Sequence, residues 1–383
     1  MIDYNTLEQD IDEIRQRHLK DLGDKDLKYL ATLESKWSRN KEEGLRLIEE
    51  SVSPVRFLEG VKKYSYGYVI ESFVAHNILH CQYDTLSPDK YCSSLWHWPS
   101  PIDTQGWKRE HNGQHHIHTN VVEKDPDLAH GILRTHHEIP WSFIHLFQMP
   151  IYFLGLYPTF NKNWNGIMLR YVENIRQKIF KSGNKGYGIM SEDRTLLTPT
   201  EAAQREKHTN ATIKEWNEEN IYGPARNSKS WTPKVALGLK MAEILTNYQI
   251  AMTIQPSHQA EEKYPQDYVP KSKGEWYFMQ METTRNYELE DQERLDYYGA
   301  LNYQIEHHLY PDIPSWRYMD ISREVKGVCK KHGILYREDK TRKQTYLRFV
   351  KEVLKYSIPD FFRHKLFGKS KLEKNPMKEN TNV

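Results

Sequence analysis

The sequence predicts an all-α protein. Leu27, Leu30, Leu33 and Trp37 recur at helical spacing within a strongly charged segment, which indicates one or two amphipathic helices before residue 50. Three later segments carry histidines spaced three or four residues apart, and that spacing places side chains on one face of a helix. We therefore expect amphipathic helices that cover a core, and core helices that present histidines.

The composition argues against two classes of protein, nucleic-acid-binding proteins and disulfide-rich proteins. The chain has 383 residues, of which 38% are apolar and 28% charged, a mean hydropathy of -0.82 and a net charge of +2. This balance argues against a nucleic-acid partner. Its three cysteines, Cys81, Cys92 and Cys329, form no Cys-x-x-Cys motif, so neither a disulfide framework nor a thiolate metal site is indicated. We expect a cytoplasmic protein without a signal peptide.

The pattern divides the chain into three regions. Residues 1–52 form an amphipathic helical N-terminal region, residues 53–345 a histidine-bearing domain with a polar insertion at about 161–233, and residues 346–383 a C-terminal helix and basic tail. Within the second region, 139–160 carries no Asp, Glu, Lys or Arg. Because His145, Gln148, Pro150 and Pro158 interrupt this stretch, a buried core helix explains it at least as well as a membrane span.

The first histidine cluster lies in an apolar stretch. His76 and His80 are an i, i+4 pair within residues 64–83, where Glu71 is the only formal charge. A second cluster lies on a helix that we expect to begin at Asp103 or Thr104. This cluster comprises His111, His115 and His116, the last about a hundred degrees round from its neighbour on an α-helix.

The third cluster ends a helix predicted over roughly 291–308. It comprises Gln304, His307 and His308. Neutral imidazole suits divalent iron, copper, nickel and zinc, although solvated imidazoles at helix ends are the simpler explanation for any one cluster. Seven histidines in three clusters exceed the three or four ligands of one zinc site, so the number favours two metal ions.

Two further positions are candidates to complete the site. His258 ends an apolar run that begins near Val235, so it should emerge at the same end of the bundle as the clusters; a capping or surface histidine is the alternative. Asp125 and Asp127 are candidates to orient ligand imidazoles through hydrogen bonds. A turn that starts a helix at Asp-Pro explains each of them about as well.

The clusters and their flanking residues resemble the membrane fatty acid desaturase and hydroxylase superfamily. The matching motifs are His-x-x-x-His at 76–80, His-x-x-x-His-His at 111–116 and Gln-x-x-His-His at 304–308. The flanking matches include Trp-Lys-Arg-Glu-His-Asn from 107, His-Thr-Asn from 118 and Lys-Asp-Pro-Asp-Leu from 124. These motifs are specific, and the resemblance covers roughly residues 64–160 and 235–345.

The resemblance implies four core helices that carry the histidine motifs around a di-iron site. It implies two iron ions, cycling between Fe2+ and Fe3+, held by eight histidines: His76, His80, His111, His115, His116, His258, His307 and His308. The surrounding positions that it suggests as supports for these ligands are Gln304, Asn112, His118, Asp125, Asp127 and Glu306.

The implied reaction is the O2-dependent desaturation of an acyl chain. Two electrons must come from outside, and because no haem-binding His-Pro-Gly-Gly motif is present, we expect a separate ferredoxin or cytochrome b5 type donor. Hydroxylation or N-oxygenation of a soluble metabolite is the alternative reaction. An engineered soluble scaffold that binds metal without turnover is the alternative outside catalysis.

One departure from the family concerns the membrane. Charged residues stand where its spanning helices would run: Glu59, Lys62, Lys63, Lys240 and Glu243. A charge at membrane depth costs about 3 kcal/mol on insertion scales. We therefore expect a soluble or peripherally attached form, acting on an acyl or polar small-molecule substrate.

Overall fold

The fold is built almost entirely from helices, as predicted. The computed structural model describes residues 2–122, 124–128, 133–163, 199–289, 291–369 and 373. Within these ranges the only strands are β1 (Asn286–Tyr287) and β2 (Glu338–Asp339), which pair in parallel with Asn286 opposite Glu338. Residues 164–198, about half of the predicted polar insertion, lie outside the described residues.

The first half of the chain contains three long helices followed by shorter helical elements. They are α1 (Tyr4–Lys20), α2 (Asp24–Glu50), α3 (Pro54–Leu79) and α4 (Thr104–Trp107), which continues as a π-helix (Lys108–His115). A run of short elements follows: a 3-10 turn (Phe143–Phe147), α5 (Gln148–Pro150), a π-turn (Ile151–Leu156), a 3-10 turn (Tyr157–Thr159) and α6 (Phe160–Asn163).

The second half of the chain contains both long and short helices. It contains α7 (Pro199–Asn217), a π-turn (Glu218–Tyr222), α8 (Gly223–Asn227), α9 (Thr232–Ile254) and a 3-10 turn (Gln255–Ser257). It continues with α10 (Lys273–Thr283), α11 (Gln292–Tyr297), α12 (Gln304–Leu309), a 3-10 turn (Ser315–Arg317), α13 (Tyr318–His332), α14 (Arg342–Ser357) and α15 (Asp360–Phe367).

Helices α2 and α3 form a close antiparallel pair through glycine. A Cβ atom on Gly44 would lie 2.4 Å from the backbone nitrogen of Tyr64, and one on Gly67 would lie 2.6 Å from the carbonyl oxygen of Trp37. Only glycine permits backbones to approach this closely. Helix α9 packs on the same pair, with Gly238 against Ile48. The α2, α3 and α9 assembly thus fixes the two long helices whose C-terminal ends lead to His76, His80 and His258.

The prediction of one continuous helix over 291–308 is wrong. The structure has two short helices, α11 and α12, separated by a turn in which Gly299 and Ala300 adopt φ values of +56° and +57°. A left-handed backbone ends an α-helix. Phe73 of α3 packs closely on this turn. A Cβ atom added to Gly299 would lie only 2.6 Å from the Phe73 Cβ atom. The break lets α12 begin in a new direction.

The apolar stretch at 139–160, for which a buried core helix and a membrane span were the two interpretations, forms no single long helix. It forms short 3-10, α and π turns, and Phe143, Phe147 and Leu154 are exposed. Two prolines, Pro150 and Pro158, remove backbone donors from a longer helix. Throughout the part of the chain that the structure describes, no helix has the length and apolar character needed to cross a bilayer.

Candidate metal centre

The first two histidines stand at the C-terminal end of α3. Ser53 caps the start of this helix by accepting a hydrogen bond from the Arg56 backbone at 3.3 Å, and Pro54 occupies the first turn. His76 lies in the last turn and His80 is the C-cap, so the pair spaced by four residues faces one direction. Both imidazoles are buried.

The second cluster is carried by a π-helix, which differs from the α-helix assumed from the sequence. Asp103 begins the segment as predicted, accepting a hydrogen bond from the Gly106 backbone at 3.1 Å. At the end of the π-helix the His116 backbone N–H donates to the His111 carbonyl at 3.1 Å, an i to i+5 bond. The wider turn brings His111 and His116 onto a common side together with His115.

The remaining histidines come from the ends of α9 and α12. His258 follows the 3-10 turn that extends α9, and its side chain is buried. His307 and His308 lie in the last turn of α12, a six-residue helix whose start is held by the Asn286 side chain, which accepts from the Ile305 backbone at 2.9 Å. Both are buried as well.

These four elements bring all eight predicted histidines together. In each of three overlapping groups, the candidate ligand atoms lie within 4.8 Å of one another. One group joins His76, His80, His111 and His307; a second joins His115, His258 and His308; a third joins His116, His307 and His308. His307 and His308 each belong to two of these groups, so the groups adjoin one another.

The nitrogen geometry fits metal ions. The Nε2 atom of His111 lies 3.3 Å from Nε2 of His76 and 3.2 Å from Nε2 of His116. Two nitrogens bound at about 2.1 Å to one ion are separated by about 3.0–3.4 Å. Each of these two pairs therefore has the spacing of nitrogens that bind one ion.

Unsatisfied imidazole nitrogens support the same interpretation. Among the described residues, five buried ring nitrogens of the centre have no hydrogen-bond partner: His80 Nε2, His115 Nε2, His116 Nδ1, His307 Nδ1 and His308 Nε2. A buried polar atom left without a partner costs about 1–3 kcal/mol. A cation bound by their lone pairs removes that cost, so the residues present fit a metal centre.

Burial keeps most of these imidazoles neutral, which is the form that binds metal. Burial lowers the pKa of His76 to about 4 and that of His258 to about 3. It also lowers the pKa values of His80, His111, His116, His307 and His308 well below the usual value. At neutral pH these seven side chains offer lone pairs rather than positive charge.

The pKa of His115 is shifted in the opposite direction from those of the other seven histidines, because two carboxylates face its ring. Its Nδ1 atom lies 2.9 Å from Asp125 Oδ1 and 3.5 Å from Asp127 Oδ2. Burial opposes charge on the ring, but the Asp125 and Asp127 carboxylates outweigh it and raise the pKa of His115. Because Asp125 accepts a hydrogen bond from Nδ1–H, Nε2 is the nitrogen that can offer a lone pair to a metal ion. Both acids thus contact His115, one of the predicted ligands, and their role in orienting it stays a prediction.

His308 is oriented by residues that sequence reasoning missed. Its Nδ1 atom lies 3.0 Å from Gln280 Oε1 and 3.1 Å from Thr119 Oγ1, and Thr119 donates to Gln280 at 2.8 Å. Gln280 belongs to α10, a helix that the sequence analysis did not identify. A single Gln in the apolar segment Tyr277–Met281 was the available signal.

Gln304 lies beside His258, as its motif suggests. Its Oε1 atom is 2.9 Å from His258 Nε2, while its amide nitrogen donates to the Leu301 carbonyl at 2.7 Å. His258 Nδ1 in turn lies 3.4 Å from the Thr283 carbonyl. A neutral imidazole has one proton, so it can serve only one of the two oxygens. With the proton on Nδ1, the Gln304 oxygen and the His258 Nε2 lone pair face the same space.

The other candidate supports occupy different positions. Asn112 donates to the Leu79 carbonyl at 3.0 Å and so ties the π-helix to the end of α3. Glu306 accepts from Asn286 at 2.6 Å and from Tyr336 at 2.9 Å, and burial raises its pKa to about 7. His118 is half-buried and belongs to none of the converging histidine groups. Asn77, which was not a candidate, lies with its Oδ1 3.1 Å from His76 Nδ1.

Comparison with known proteins points to one family. Residues 236–340 match the profile of the family described as fatty acid desaturase. The chain is 27% identical over 368 residues to an NADPH-dependent stearoyl-CoA 9-desaturase of Mycobacterium tuberculosis, covering 94% of this chain and 81% of that protein. An alignment of this extent includes all the histidine clusters.

Shorter alignments agree with that result. An acyl-lipid (8-3)-desaturase of Mortierella alpina is 33% identical over 108 residues, which is 27% of this chain and 24% of that protein. A Delta(5) fatty acid desaturase A of Dictyostelium discoideum is 26% identical over 274 residues, or 69% of this chain and 55% of that protein.

Proposed function

Because this chain belongs to the fatty acid desaturase superfamily, we propose that it is a di-iron oxidoreductase that desaturates an acyl chain with O2 and two external electrons. The observation that carries this proposal is the convergence of eight buried histidines from four separate elements into adjoining groups. The named activity of the Mycobacterium relative supports an acyl substrate. That name also includes NADPH, in keeping with an external source of electrons.

Each subsite has its own set of ligands in this proposal. His76, His80, His111 and His307 hold one iron, and His115, His258 and His308 hold the other, with His116 beside both. Bound iron supplies the oxidation of an unactivated C–H bond, chemistry that no side chain can perform alone. A ferredoxin or cytochrome b5 type protein is the proposed donor.

The protein's own residues fix the ligands and exclude water. Asp125, Gln280 and Asn77 each contact the Nδ1 atom of a ligand histidine and thereby set which nitrogen faces the centre. Trp107 stacks on the His111 ring with centroids 4.5 Å apart and is itself buried. This apolar covering shields the centre from solvent, so a reactive oxidant is not lost to side reactions.

The test is a single-turnover experiment with metal analysis. The protein is loaded with ferrous iron without oxygen, assayed for iron, reduced, and exposed to O2 with a stearoyl thioester or a stearoyl lipid. We expect about two irons per chain and a product lighter by two hydrogens. A product heavier by one oxygen indicates hydroxylation, and iron binding without oxygen consumption indicates a scaffold that does not turn over. Preferential binding of a single zinc would refute the di-iron assignment.

A further inference from the structure

Two neighbouring segments each expose a pair of phenylalanine side chains. Phe143 and Phe147, in the 3-10 turn before α5, are 67% and 49% exposed, and their rings lie 5.5 Å apart. Phe361 and Phe362, in the first turn of α15, are 73% and 53% exposed, with ring centroids 5.3 Å apart. Single exposed apolar side chains are ordinary, but grouped ones mark an interaction surface.

Hydrogen bonds hold these two segments side by side. The Trp141 indole donates to the Ser357 carbonyl at 2.9 Å, and the Gln148 amide donates to the Ser357 hydroxyl at 3.2 Å. Buried Arg134 bonds to the Ile139 carbonyl at 2.7 Å and to Asp360 Oδ1 at 2.6 Å. The segment that contains Phe143 and Phe147 therefore lies against the junction of α14 and α15, next to Phe361 and Phe362. We call these four phenylalanines and the adjoining helices α14 and α15 the C-terminal face.

The charge of the C-terminal face is strongly asymmetric. Between residues 342 and 369 there are eight Lys or Arg and two acids, Glu352 and Asp360, a net charge of +6 with histidine neutral. The whole chain carries only +2, so the rest of it is net negative. The neighbouring residues 139–160 contain no charged residue of either sign. Lys365 and Lys369 are exposed beside the aromatic side chains.

Internal ion pairs already occupy both acids of this segment. Asp360 accepts from Arg134, and Glu352 accepts from Lys355 at 3.1 Å. Lys351 lies with its Nζ 6.0 Å from the Phe367 ring, so a basic side chain borders the aromatic group directly. Arg348 and Arg363 are paired as well, with Asp339 and Glu373. Among the described residues, the exposed Lys343, Lys365 and Lys369 form no ion pair, so the charge left unpaired on this face is positive and lies near apolar side chains that are exposed to water.

We propose that the C-terminal face binds the surface of an anionic lipid bilayer. Aromatic side chains seat at the boundary between head groups and acyl chains, while lysines and arginines around them are attracted to anionic lipid. A second copy of the chain fits less well, because a two-fold interface would place two positive surfaces together. The inference concerns binding alone and stands whether or not the proposed oxidation is correct.

Vesicle flotation tests this inference. The purified full chain is mixed with vesicles of phosphatidylcholine alone, or of phosphatidylcholine and phosphatidylserine in equal parts, and centrifuged through a density gradient. We expect flotation with the anionic vesicles only, and release by high salt, because salt screens the electrostatic attraction between the protein and the lipid surface.

Two double variants test which side chains make the contact. The variant Lys365→Gln/Lys369→Gln should bind anionic vesicles about 25-fold more weakly, since each basic residue contributes about a factor of five. The double variant Phe361→Ser/Phe362→Ser should lose about tenfold or more.

Matched substitutions elsewhere provide the controls. Lys25 and Lys28 on α2 are exposed, and Leu335 is 69% exposed in the loop after α13. Lys25→Gln/Lys28→Gln and Leu335→Ser should leave flotation unchanged. The proposal is overturned if anionic vesicles fail to bind the native chain, or if both control variants weaken binding as much as the test variants. It is also overturned if light scattering shows a dimer that Phe361→Ser/Phe362→Ser dissociates while vesicles bind neither form.

Discussion

The Asp125 carboxylate lies 2.9 Å from the Nδ1 atom of His115, and both side chains are almost wholly buried. We predict that Asp125→Asn weakens iron binding by about 10–100-fold, because the amide no longer fixes the imidazole with a charged acceptor. Chelator competition under anaerobic conditions measures the change. Asp127→Asn, whose carboxylate is more distant at 3.5 Å, should have a smaller effect. Equal affinity of Asp125→Asn and the native protein would show that this contact does not position a ligand.

His258 lies outside the three motifs, and its substitution tests the second subsite. His258→Ala should bind about one iron fewer than the native chain, because it removes one of three converging nitrogens. His332→Ala is the control, because His332, at the end of α13, is partly buried and bonds to Asp10 of α1 at 2.6 Å but belongs to none of the converging histidine groups. Iron analysis of both proteins decides the matter. If the two bind the same amount of iron, the ligand must be sought elsewhere, with Gln304 the first candidate.

Metal removal should destabilise the fold. The centre joins α3, the π-helix, α9 and α12, so an ion bound only by the native state stabilises all four contacts at once. At a free iron concentration of one hundred times Kd we expect about 2.7 kcal/mol of added stability. Anaerobic thermal unfolding with and without a chelator measures the difference. An unchanged melting temperature would mean that the native and unfolded chains bind iron equally.

The close pairing of α2 and α3 predicts opposite effects for two glycine substitutions. Gly44→Ala should lower the free energy of unfolding by about 1–3 kcal/mol, because its Cβ would lie 2.4 Å from the Tyr64 backbone. Gly327→Ala in α13 meets nothing within 4 Å and should raise it by about 0.5–1 kcal/mol through helix propensity. Urea unfolding monitored by circular dichroism compares them. The same sign for both would show that backbone approach is not what constrains residue 44.

Fractionation tests the expectation of a soluble or peripheral form. The charged residues Glu59, Lys62, Lys63, Lys240 and Glu243 are costly at membrane depth, so we predict that alkaline carbonate transfers the protein to the supernatant of a cell lysate. Immunoblotting of both fractions, with an integral membrane protein of the host as reference, provides the measurement. Retention in the carbonate pellet together with the reference protein would contradict the prediction.

Local sequence patterns were sufficient to identify many of the histidines that converge in the structure. The spacing of His76 and His80 predicted a shared face, and the end of an apolar run drew attention to His258; the structure places all three in the converging groups. The start of the second segment at Asp103 was also predicted correctly. These features depend on neighbours within one or two turns, and such neighbours are visible in sequence.

The features that the sequence missed depend on distant contacts. Gln280 orients His308 from a helix 28 positions earlier, and no periodicity links the two. The break at Gly299 follows the packing of Phe73, and the helix on either side would otherwise continue. In the second cluster, the π-turn that aligns His111 with His116 replaces the α-helical geometry that spacing alone assumes.

The sequence by itself determined which residue types carry the chemistry and on which helical faces they stand, because side-chain identity and local spacing are encoded along the chain. Only the tertiary structure decided which imidazoles share a subsite and which nitrogen of each points inward. Those choices are made by hydrogen bonds such as Asp125 to His115 and by helix ends brought together across long separations. Their physical cause is the burial of polar atoms, which must find partners wherever the folded chain supplies them.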